Sequence, residues 1–452
     1  MALAAGLYRS SCRPTRGACF AAALLLVATC SCSSQSSSGA ASGGASATGA
    51  PAGASNQGGT SGGSALGSAG AGGTAAQLQG GTSGATFAGG PSASGESSTG
   101  GISGSAGGLT ATAGAASGGA SGVYKPPFIL GADITITMED EYWGATYTDA
   151  GQQKSIERLL KDHGFNFIRV DTFVNPAAVG GYAASMPEPF RDLAHTIALA
   201  KRVKSVGLGF LLDLHYADTW TNPGAQTPPA AWANLPLAAL ETRVYDYTKD
   251  ALSQLKAASA MPDIVQIGNE ITNGMLWDAG RVSGSDFRNL ATLLKAGIRA
   301  VRDVEPAIQV LLHIEKCNND ATSEWWLDGV LGAGVAFDIL GQSCYATAPN
   351  GVAGYQGTAA EWQATFAALA NKYPQLKFMI AEYSAQQRAA NDTMFNLPDH
   401  RGLGTFNWDP TRAYDTHPNH PLFTTNGAWN RFVAIPELMA LYEKMATDYG
   451  NR

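Results

Sequence analysis

The chain has 452 residues, 14% of them charged, and a formal net charge of −7 at neutral pH. Residues 1–32 carry a charge of +3 and residues 33–122 carry −1, so residues 123–452 carry −9. A moderately acidic domain without a cluster of lysines and arginines argues against nucleic acid as a partner, because that binding depends on neutralising phosphates. The same balance argues against docking on an anionic membrane surface and leaves neutral substrates open.

The N-terminus has the pattern of an export signal. Three arginines precede a short apolar run at residues 20–28, which has the length of a signal-peptide core and is too short to span a bilayer. The small residues and cysteines after it resemble a bacterial lipoprotein processing site, with Cys30 or Cys32 as the lipidated residue. An ordinary cleaved signal with incidental cysteines is the alternative. We therefore predict that residues 1–32 are a signal peptide and that the protein is either secreted or held at the cell surface by a lipid.

Residues 33–122 form a low-complexity segment. They contain 28 of the 55 glycines and a single charged residue, Glu96, and most of the rest is serine, alanine or threonine. Such a composition cannot bury enough apolar surface to offset the entropy of ordering its backbone. We predict a disordered linker that would hold an anchored domain away from the membrane.

Residues 123–452 are the only part of the chain that can build a large core. Eight short β-rich runs alternate there with helix-period stretches, which is typical of a parallel sheet covered on its outside. Eight such units predict one (β/α)8 TIM barrel, with an open doubly wound sheet as the alternative. The stretch 385–401 is polar and shows no clear helix, and a last helix is expected near 429–447. The predicted strands are 128–134, 165–171, 208–215, 263–270, 308–314, 337–345, 376–383 and 402–408, and the predicted helices between them include 153–163, 190–206, 237–258, 287–304 and 358–373.

A polar or aromatic side chain stands at the end of nearly every predicted strand. A barrel places its chemistry at the C-terminal ends of its strands. Any one of these residues could simply cap a strand, but so many together are difficult to attribute to stability alone. The set predicts a functional site at this end of the barrel. Its members are Asp133, Arg169, Asp171, His215, Asn269, Glu270, His313, Tyr345, Glu382 and Trp408.

Two of these residues, Glu270 and Glu382, end the fourth and seventh predicted strands. Those strands lie across the mouth of an eight-stranded barrel, so the two carboxylates can face each other over one bound sugar. A glycosidic bond is cleaved by two carboxyl groups that flank it, one protonating the leaving oxygen and one attacking or activating water. The pair therefore predicts a glycosidase, although one of the two could instead be a structural ion-pair partner. Asn269 offers an amide to a sugar hydroxyl, and Arg169 could hold Glu382 ionised.

Longer motifs carry a family resemblance over most of residues 127–410. Two blocks are long and specific, LLDLHYADTW at 211–220 and VQIGNEI at 265–271. Together with shorter blocks in the same order, they resemble the arabinogalactan endo-β-1,4-galactanases of glycoside hydrolase family 53. The resemblance implies a (β/α)8 barrel and a retaining, endo-acting hydrolysis of β-1,4-galactan, a pectin side chain. The shorter blocks are GADI at 131–134, VNP at 174–176, NPG at 222–224, PAAW at 229–232 and GMLW at 274–277.

The resemblance also implies roles, carried over residue by residue. Glu270 becomes the general acid/base and Glu382 the nucleophile, with their carboxyl groups roughly 5–5.5 Å apart as in retaining enzymes. Trp408 becomes a platform for a sugar ring. The supporting residues are Asn269, Arg169, His215, Asp218 and Tyr345.

The chain departs from the family pattern near the glycone side. The family has Arg-x-Arg-Val-Trp where this sequence has RVDTF at 169–173, which removes one arginine and one tryptophan. Trp408 is followed by Asp-Pro instead of Glu-Pro, and Tyr216 by Ala-Asp instead of Ser-Asp. These departures bear on chain length, subsite preference and strict β-1,4 specificity.

The sugar-binding surface is predicted to be aromatic, because a neutral galactan is bound through its ring faces and hydroxyl groups. Trp220 and Trp277 lie in loops just past strand ends, and with Asp133 and Trp408 they are predicted to bind substrate. Two further tryptophans, at 325 and 326, fall on a predicted helix, where core packing is favoured.

Signals for a metal or cofactor are weak. The histidines and acids of residues 386–425 match no zinc spacing, so no metal or cofactor is predicted. Some relatives carry a structural calcium in a loop of this region, and oxygen ligands for one could come from several residues here. Solvated loop acids are the favoured interpretation. The candidate ligands are Asn391, Asp392, Asn396 and Asp399.

Two cysteines, Cys317 and Cys344, remain in the predicted barrel, since Cys12 and Cys19 would leave with the signal. They could pair in an oxidising compartment, but two thiols alone leave the pairing open.

Other functions stay open on the sequence. The first is another retaining β-glycanase with a different linkage specificity, and the second is a non-catalytic surface lipoprotein that binds polysaccharide. In a third, the glycine-rich segment is adhesive material and the barrel its cargo. We predict a monomer that acts on galactan, binds no nucleic acid and meets a membrane only through a lipid anchor.

Overall fold

The computed structural model of the protein describes residues 127–346, 356–412 and 421–451. The predicted signal, its candidate lipidation sites Cys30 and Cys32, and the glycine-rich linker lie outside the described residues. The predictions about them, and the domain boundaries drawn there, stay predictions.

The strands of the described residues form one large ring and two small sheets. They are β1 (Ile129–Asp133), β2 (Thr146–Asp149), β3 (Gln152–Lys154), β4 (Phe167–Thr172), β5 (Gly209–Leu214), β6 (Ile264–Ile267), β7 (Gln309–Ile314), β8 (Ile339–Ser343), β9 (Tyr345–Ala346), β10 (Gln356–Gly357), β11 (Lys377–Tyr383), β12 (Gly402–Trp408), β13 (Phe423–Thr425) and β14 (Arg431–Ala434). Eight of them close into a barrel in the order β1-β12-β11-β8-β7-β6-β5-β4, and every neighbouring pair in it is parallel. The predicted barrel is confirmed, and the closed ring excludes the open doubly wound sheet.

Helices follow most of the barrel strands and cover their outer side. They are α1 (Thr137–Tyr142), α2 (Ile156–Asp162), α3 (Leu193–Ser205), α4 (Leu237–Ala257), α5 (Arg288–Val304), α6 (Asp320–Gly332), α7 (Ala359–Lys372), α8 (Gln387–Phe395) and α9 (Pro436–Asp448). Among the described residues, no helix combines the length and the apolar character that crossing a bilayer requires.

One prediction about helices is wrong, because the polar stretch 385–401 contains α8. The expected last helix is confirmed as α9, but it begins later than expected, because β14 occupies the start of the stretch 429–447. α8 is hidden in the sequence because it turns a polar residue to the core, where the Asn391 amide donates to the Tyr383 hydroxyl at 3.0 Å and accepts from Thr405 Oγ at 2.7 Å. β14 is extended because it pairs with β2, a contact that local sequence does not reveal.

Alternate residues along the strands build layers inside the barrel, because side chains two apart point to the same face. Seven buried apolar side chains near the N-terminal ends of the strands fill the bottom of the barrel. Two positions further along the same faces come buried polar groups, including Arg169, Asp213, Gln266 and His313. The polar layer therefore rests on an apolar floor. That floor consists of Ile129, Leu211, Ile264, Leu311, Ile339, Met379 and Phe406.

A four-stranded sheet, β13-β14-β2-β3, joins the segment after β1 to the segment before α9. β2 and β14 are parallel, with Tyr147 opposite Phe432, and these two rings stack with centroids 5.4 Å apart. The sheet therefore connects the two ends of the described chain.

Candidate active site

Arg169 on β4 is the centre of a buried polar network at the mouth of the barrel. Its Nη1 lies 2.6 Å from Asp133 Oδ2, and its Nη2 lies 2.7 Å from Asp213 Oδ2 and 2.9 Å from Glu382 Oε1. Nη2 also donates to Asn269 Oδ1 at 3.0 Å. Burial lowers the pKa of Arg169, but the carboxylates around it outweigh burial and raise that pKa above its ordinary value. The guanidinium is thus a fixed positive charge shared by several strands.

Glu382, near the end of β11, has both carboxylate oxygens held. Oε1 pairs with Arg169, and Oε2 accepts a hydrogen bond from the Tyr345 hydroxyl at 2.8 Å. Burial raises the pKa of Glu382, and the Arg169 charge and the Tyr345 hydrogen bond offset part of that effect. Burial and the nearby carboxylates raise the pKa of Tyr345 well above its ordinary value, so the phenol keeps its proton and donates it.

Glu270 stands just past the end of β6, in a backbone turn that aims it into the mouth. The turn passes through Gly268, with φ 78°, and leaves Glu270 itself in the left-handed region, with φ 51°. Left-handed non-glycine residues cluster at functional sites, where the surrounding structure compensates for their strain. The buried carboxylate accepts a hydrogen bond from Ser343 Oγ at 2.7 Å.

Ser343 and His313 form a chain of hydrogen bonds behind Glu270. Ser343 Oγ lies 3.0 Å from His313 Nε2, and His313 Nδ1 lies 2.8 Å from Asn269 Oδ1 and 3.1 Å from Gln266 Nε2. Burial and the positive charges nearby lower the pKa of His313 well below its ordinary value, so the ring is neutral. A neutral imidazole has one donor and one acceptor nitrogen, and here both tautomers find partners. The Ser343 hydroxyl can therefore either donate to Glu270 or accept from it.

His215, directly after β5, supports the network from a second side. Its Nε2 lies 3.1 Å from Asp213 Oδ2, and its Nδ1 accepts from the Thr221 backbone N–H at 3.2 Å. Burial lowers the pKa of His215, but the Asp213 carboxylate raises it and the net shift is upward. Because Asp213 also pairs with Arg169, His215 fixes the partner on which the central guanidinium depends.

Trp408 and Trp220 line a cleft beside the carboxylates. The centroid of the Trp408 ring lies 6.3 Å from that of Trp220 and 6.2 Å from that of Tyr345, both in edge-on contacts. A wall of rings with a few polar groups is suited to a neutral sugar. The cleft is lined by Asp133, Thr135, Ile136, Arg191, Trp220, Trp408 and Asp409.

The profile of one protein family matches the part of the chain that builds this barrel. Residues 129–402 match glycosyl hydrolase family 53. The chain belongs to this family. Its match thus runs from the first barrel strand to the start of the last one.

Individual relatives agree with this membership. The chain is 38% identical over 223 residues to a probable arabinogalactan endo-β-1,4-galactanase A of Aspergillus terreus, across 48% of this chain and 60% of that protein. It is 30% identical over 328 residues to an arabinogalactan endo-β-1,4-galactanase of Humicola insolens, across 66% of this chain and 95% of that protein. A solved family 53 catalytic domain of Ignisphaera aggregans is 27% identical with a TM-score of 0.60, across 71% of this chain and 96% of that one. For some relatives, such as that of Aspergillus terreus, the chain spans only about three fifths of their length.

In this family 53 chain, Arg191 brings a guanidinium to the cleft that Trp220 and Trp408 line. Asp171 stands where the family pattern has arginine, and its Oδ2 lies 3.0 Å from Arg191 Nη1. The Arg191 guanidinium lies 4.0 Å from the centroid of the Trp220 ring and 4.5 Å from that of Tyr182. Burial raises the pKa of Asp171 to about 6. The positive charge therefore comes from the segment before α3 instead of from β4.

Two of the predicted site residues lie outside this network. The Asp218 carboxylate accepts from the backbone N–H groups of Asn175 at 2.9 Å and Ala230 at 2.8 Å, so it ties two loops together. Trp277 is half-buried, and its Nε1 donates to the Asn273 carbonyl at 3.0 Å. Its role in substrate binding stays a prediction.

The tryptophans at 325 and 326 pack as core residues, as their predicted helical position indicates. Trp326 is fully buried, and Trp325 is partly buried against the same apolar cluster.

No group of three His, Cys, Asp or Glu side chains that could hold a metal ion occurs among the described residues. Two of the candidate calcium ligands are engaged elsewhere, since Asn391 bonds within the core and Asp392 pairs with Arg388 at 2.9 Å. That the protein needs no cofactor stays a prediction.

Cys317 and Cys344 form a disulfide, with their Cα atoms 5.3 Å apart. The structure thereby decides the pairing that the sequence leaves open. Cys344 follows directly after the last residue of β8.

Several residues of the network, including Asp213, Gln266, Ser343 and Arg191, are not among those predicted from the sequence. Asp213 could have been predicted, because it lies two positions before His215 in the same predicted strand and so faces the same side. Ser343 is small and common, and only its approach to Glu270 makes it notable. Arg191 lies in a loop, and no local pattern indicates that it reaches the cleft.

Proposed function

We propose that this family 53 protein is an endo-acting, retaining glycosidase that cleaves β-1,4-galactan in type I arabinogalactan. The observation that carries the proposal is the unlike surroundings of the two glutamates. Glu382 is held by a guanidinium and a phenol, which favour its ionised form against burial. Glu270 is held by a hydroxyl that can donate or accept. One carboxylate is suited to attack a sugar carbon, and the other to exchange a proton.

In the proposed first step, the Glu382 carboxylate attacks the anomeric carbon while protonated Glu270 donates to the departing oxygen. A galactosyl ester forms on Glu382, and the shorter galactan chain leaves as an alcohol. Arg169 and Tyr345 fix the direction of the attacking oxygen. Positioned general acid catalysis of this kind contributes about 10²–10⁴-fold in rate.

In the second step, Glu270 takes a proton from water, and that water releases the sugar from Glu382. The configuration at the anomeric carbon is then retained. The Ser343 hydroxyl can follow the change, since it donates to ionised Glu270 and accepts from the protonated form. His313 supplies the matching partner in either tautomer.

The proposed substrate rests on family membership and on the cleft. The relatives from Aspergillus terreus and Humicola insolens carry the name arabinogalactan endo-β-1,4-galactanase. The tryptophan-lined cleft supports a neutral polysaccharide, because pyranose rings pack on aromatic faces without any charge on the ligand.

The proposal is tested by following products over time on linear β-1,4-galactan, beside β-1,3-galactan, mannan and cellulose. We expect a series of shortening oligosaccharides from β-1,4-galactan alone, with the β-anomer formed first in NMR spectra. Retained products from another glycan would instead indicate a related β-glycanase. Binding to galactan without release of reducing ends would indicate a non-catalytic polysaccharide-binding module.

We further propose that the enzyme acts outside the cytoplasm as a monomer. The buried disulfide supports an oxidising compartment. Labelling cells with a radioactive fatty acid tests the anchor. We expect label on the wild type and loss of it in either Cys30→Ser or Cys32→Ser, whereas an unlabelled, released wild type would indicate an ordinary secretory signal. Gel filtration of the protein checks the monomer.

A further inference from the structure

The Cys317–Cys344 disulfide sits behind the segment that touches both glutamates. Ser343, just before Cys344, donates to Glu270 at 2.7 Å, and the residue just after it donates to Glu382 at 2.8 Å. Both cysteines are buried. One tripeptide thus holds a hydrogen-bond donor for each of the two carboxylates, with the disulfide at its centre.

The tripeptide lies where the regular pairing of the barrel ends. The last residue of β8 that pairs with β7 is Gln342, opposite Ile314, and Ser343 is the last that pairs with β11, opposite Glu382. The next strand segment, β9, has two residues, and within the described part of the chain its pairing partner is the equally short β10. Tyr345 therefore lies beyond the residues of β8 that pair with the neighbouring barrel strands.

A backbone hydrogen bond also joins this segment to β11. The Cys344 backbone N–H donates to the Glu382 carbonyl at 2.8 Å. Residues on either side of Cys344 reach into the mouth, so its own side chain points the other way, toward the loop after β7. The disulfide is the covalent bond that ties this segment to its neighbour.

We propose that the Cys317–Cys344 disulfide is a positioning device for both catalytic carboxylates, so that the oxidised protein is the fully active form. The inference rests on the proposed roles of Glu270 and Glu382. Without the bond, Ser343 and Tyr345 gain freedom to move away from their partners. A misplacement of about 1 Å at an active site can lower the rate about 100-fold.

The loss falls on kcat and leaves KM nearly unchanged. The tryptophans that line the cleft come from other parts of the barrel, Trp220 from the loop after β5 and Trp408 from the end of β12, and the segment around Cys344 meets them through the edge-on contact of Tyr345 with Trp408. Both hydroxyls act on the carboxylates, not on the cleft wall. We expect kcat to fall about 10- to 100-fold when the disulfide is removed.

The test combines removal of the disulfide with removal of the two hydroxyls. The Cys317→Ala/Cys344→Ala variant, the Ser343→Ala/Tyr345→Phe variant and the variant with all four changes are compared with the wild type. If the disulfide acts through these hydroxyls, its removal lowers kcat strongly in the wild-type background and only slightly in the background that lacks the hydroxyls. An equal fold-decrease in kcat in both backgrounds, or no decrease in the wild-type background, would overturn the proposal.

A second readout separates positioning from a general loss of structure. The Tyr345 hydrogen bond lowers the pKa of Glu382, so losing that bond raises the pKa. The acid limb of the pH–kcat/KM profile should therefore move to higher pH in the disulfide-free variant, in the same direction as in Tyr345→Phe. Near-UV circular dichroism confirms that the variant is folded. If it is not, the wild type reduced with a phosphine is measured in its place, and an unmoved limb in the reduced protein contradicts the proposal.

Failure of the disulfide proposal can be distinguished from failure of the proposed function. A wild type that cleaves β-1,4-galactan together with an unaffected disulfide-free variant refutes only the positioning role. A wild type that cleaves none of the glycans refutes the function. In that case a crystal structure of the disulfide-free variant still decides the geometry, because the Ser343 Oγ–Glu270 Oε1 distance of 2.7 Å should lengthen beyond hydrogen-bond reach. An unchanged distance would refute the inference.

Discussion

Replacing Arg169 by methionine tests whether the central guanidinium balances the buried carboxylates. Methionine keeps most of the side-chain volume and removes the charge. Three acids, Asp133, Asp213 and Glu382, lie 2.6–2.9 Å from the guanidinium nitrogens, and none of these side chains is more than 9% exposed. Removing one partner of a buried ion pair costs about 3–5 kcal/mol, because the other charge is left uncompensated. We expect at least this loss in the free energy of unfolding at neutral pH.

The loss should depend on pH in a definite direction. Without Arg169, burial and the Asp133 and Asp213 carboxylates raise the pKa of Glu382 further above its value in the unfolded chain, and the Tyr345 hydrogen bond offsets only part of that rise. A carboxyl with a higher pKa in the folded state contributes stability below the unfolded pKa and loses it as the pH rises through the folded one. Each unit of such a rise corresponds to about 1.4 kcal/mol. The variant should therefore lose more stability at about pH 8 than at about pH 5.

Urea unfolding at the two pH values measures this difference, and kcat/KM on galactan measures the effect on chemistry. We expect kcat/KM to fall at least about 100-fold, because the direction and charge of Glu382 both change. Arg302→Met is a matched control, since Arg302 pairs with Asp338 at 2.5 Å at the opposite end of the barrel. It should keep kcat. A loss of stability in Arg169→Met that is the same at both pH values would refute the reasoning.

Three other predictions address the proposed chemistry and the fold. Glu270→Gln and Glu382→Gln should each nearly abolish hydrolysis, and azide should partly restore a Glu382→Gly enzyme with the opposite anomer as product. A fully active Glu382→Gln enzyme would contradict the assignment. Trp408→Ala should raise KM on galactan about tenfold through lost ring stacking, whereas Trp429→Ala, which changes a half-exposed ring outside the cleft lining, should leave KM unchanged. Removing the disulfide, which joins residues 27 positions apart, should lower the free energy of unfolding by about 3–4 kcal/mol in thermal or urea unfolding.

The barrel could be predicted from the sequence because most of its strands are largely apolar runs. Runs of this kind are buried on both sides and stand out from the polar helices around them. The exceptions have physical causes. α8 is difficult to predict because Asn391 is a polar core residue whose amide is satisfied by hydrogen bonds. β14 is difficult to predict because its partner strand, β2, is far away in the chain.

The site could be predicted in part for the same reason. Glu270 and Glu382 lie at or near the ends of apolar strands, so their position follows from the pattern, and the family resemblance implies a distinct role for each. Ser343 and Arg191 were not predicted, because their importance depends on contacts between distant segments. The Cys317–Cys344 pairing was open because two thiols carry no information about distance.

The parallel pairing of β2 with β14 has a consequence for how the chain folds. Thr148 bonds to the Phe432 carbonyl, 284 positions further along the chain. The first and last strands of the barrel also pair with each other. Contacts of such long sequence separation form late and slow folding. The barrel therefore cannot close until β12 has been synthesised, because β1 pairs with it. For most of its synthesis the nascent polypeptide lacks the closed ring of strands.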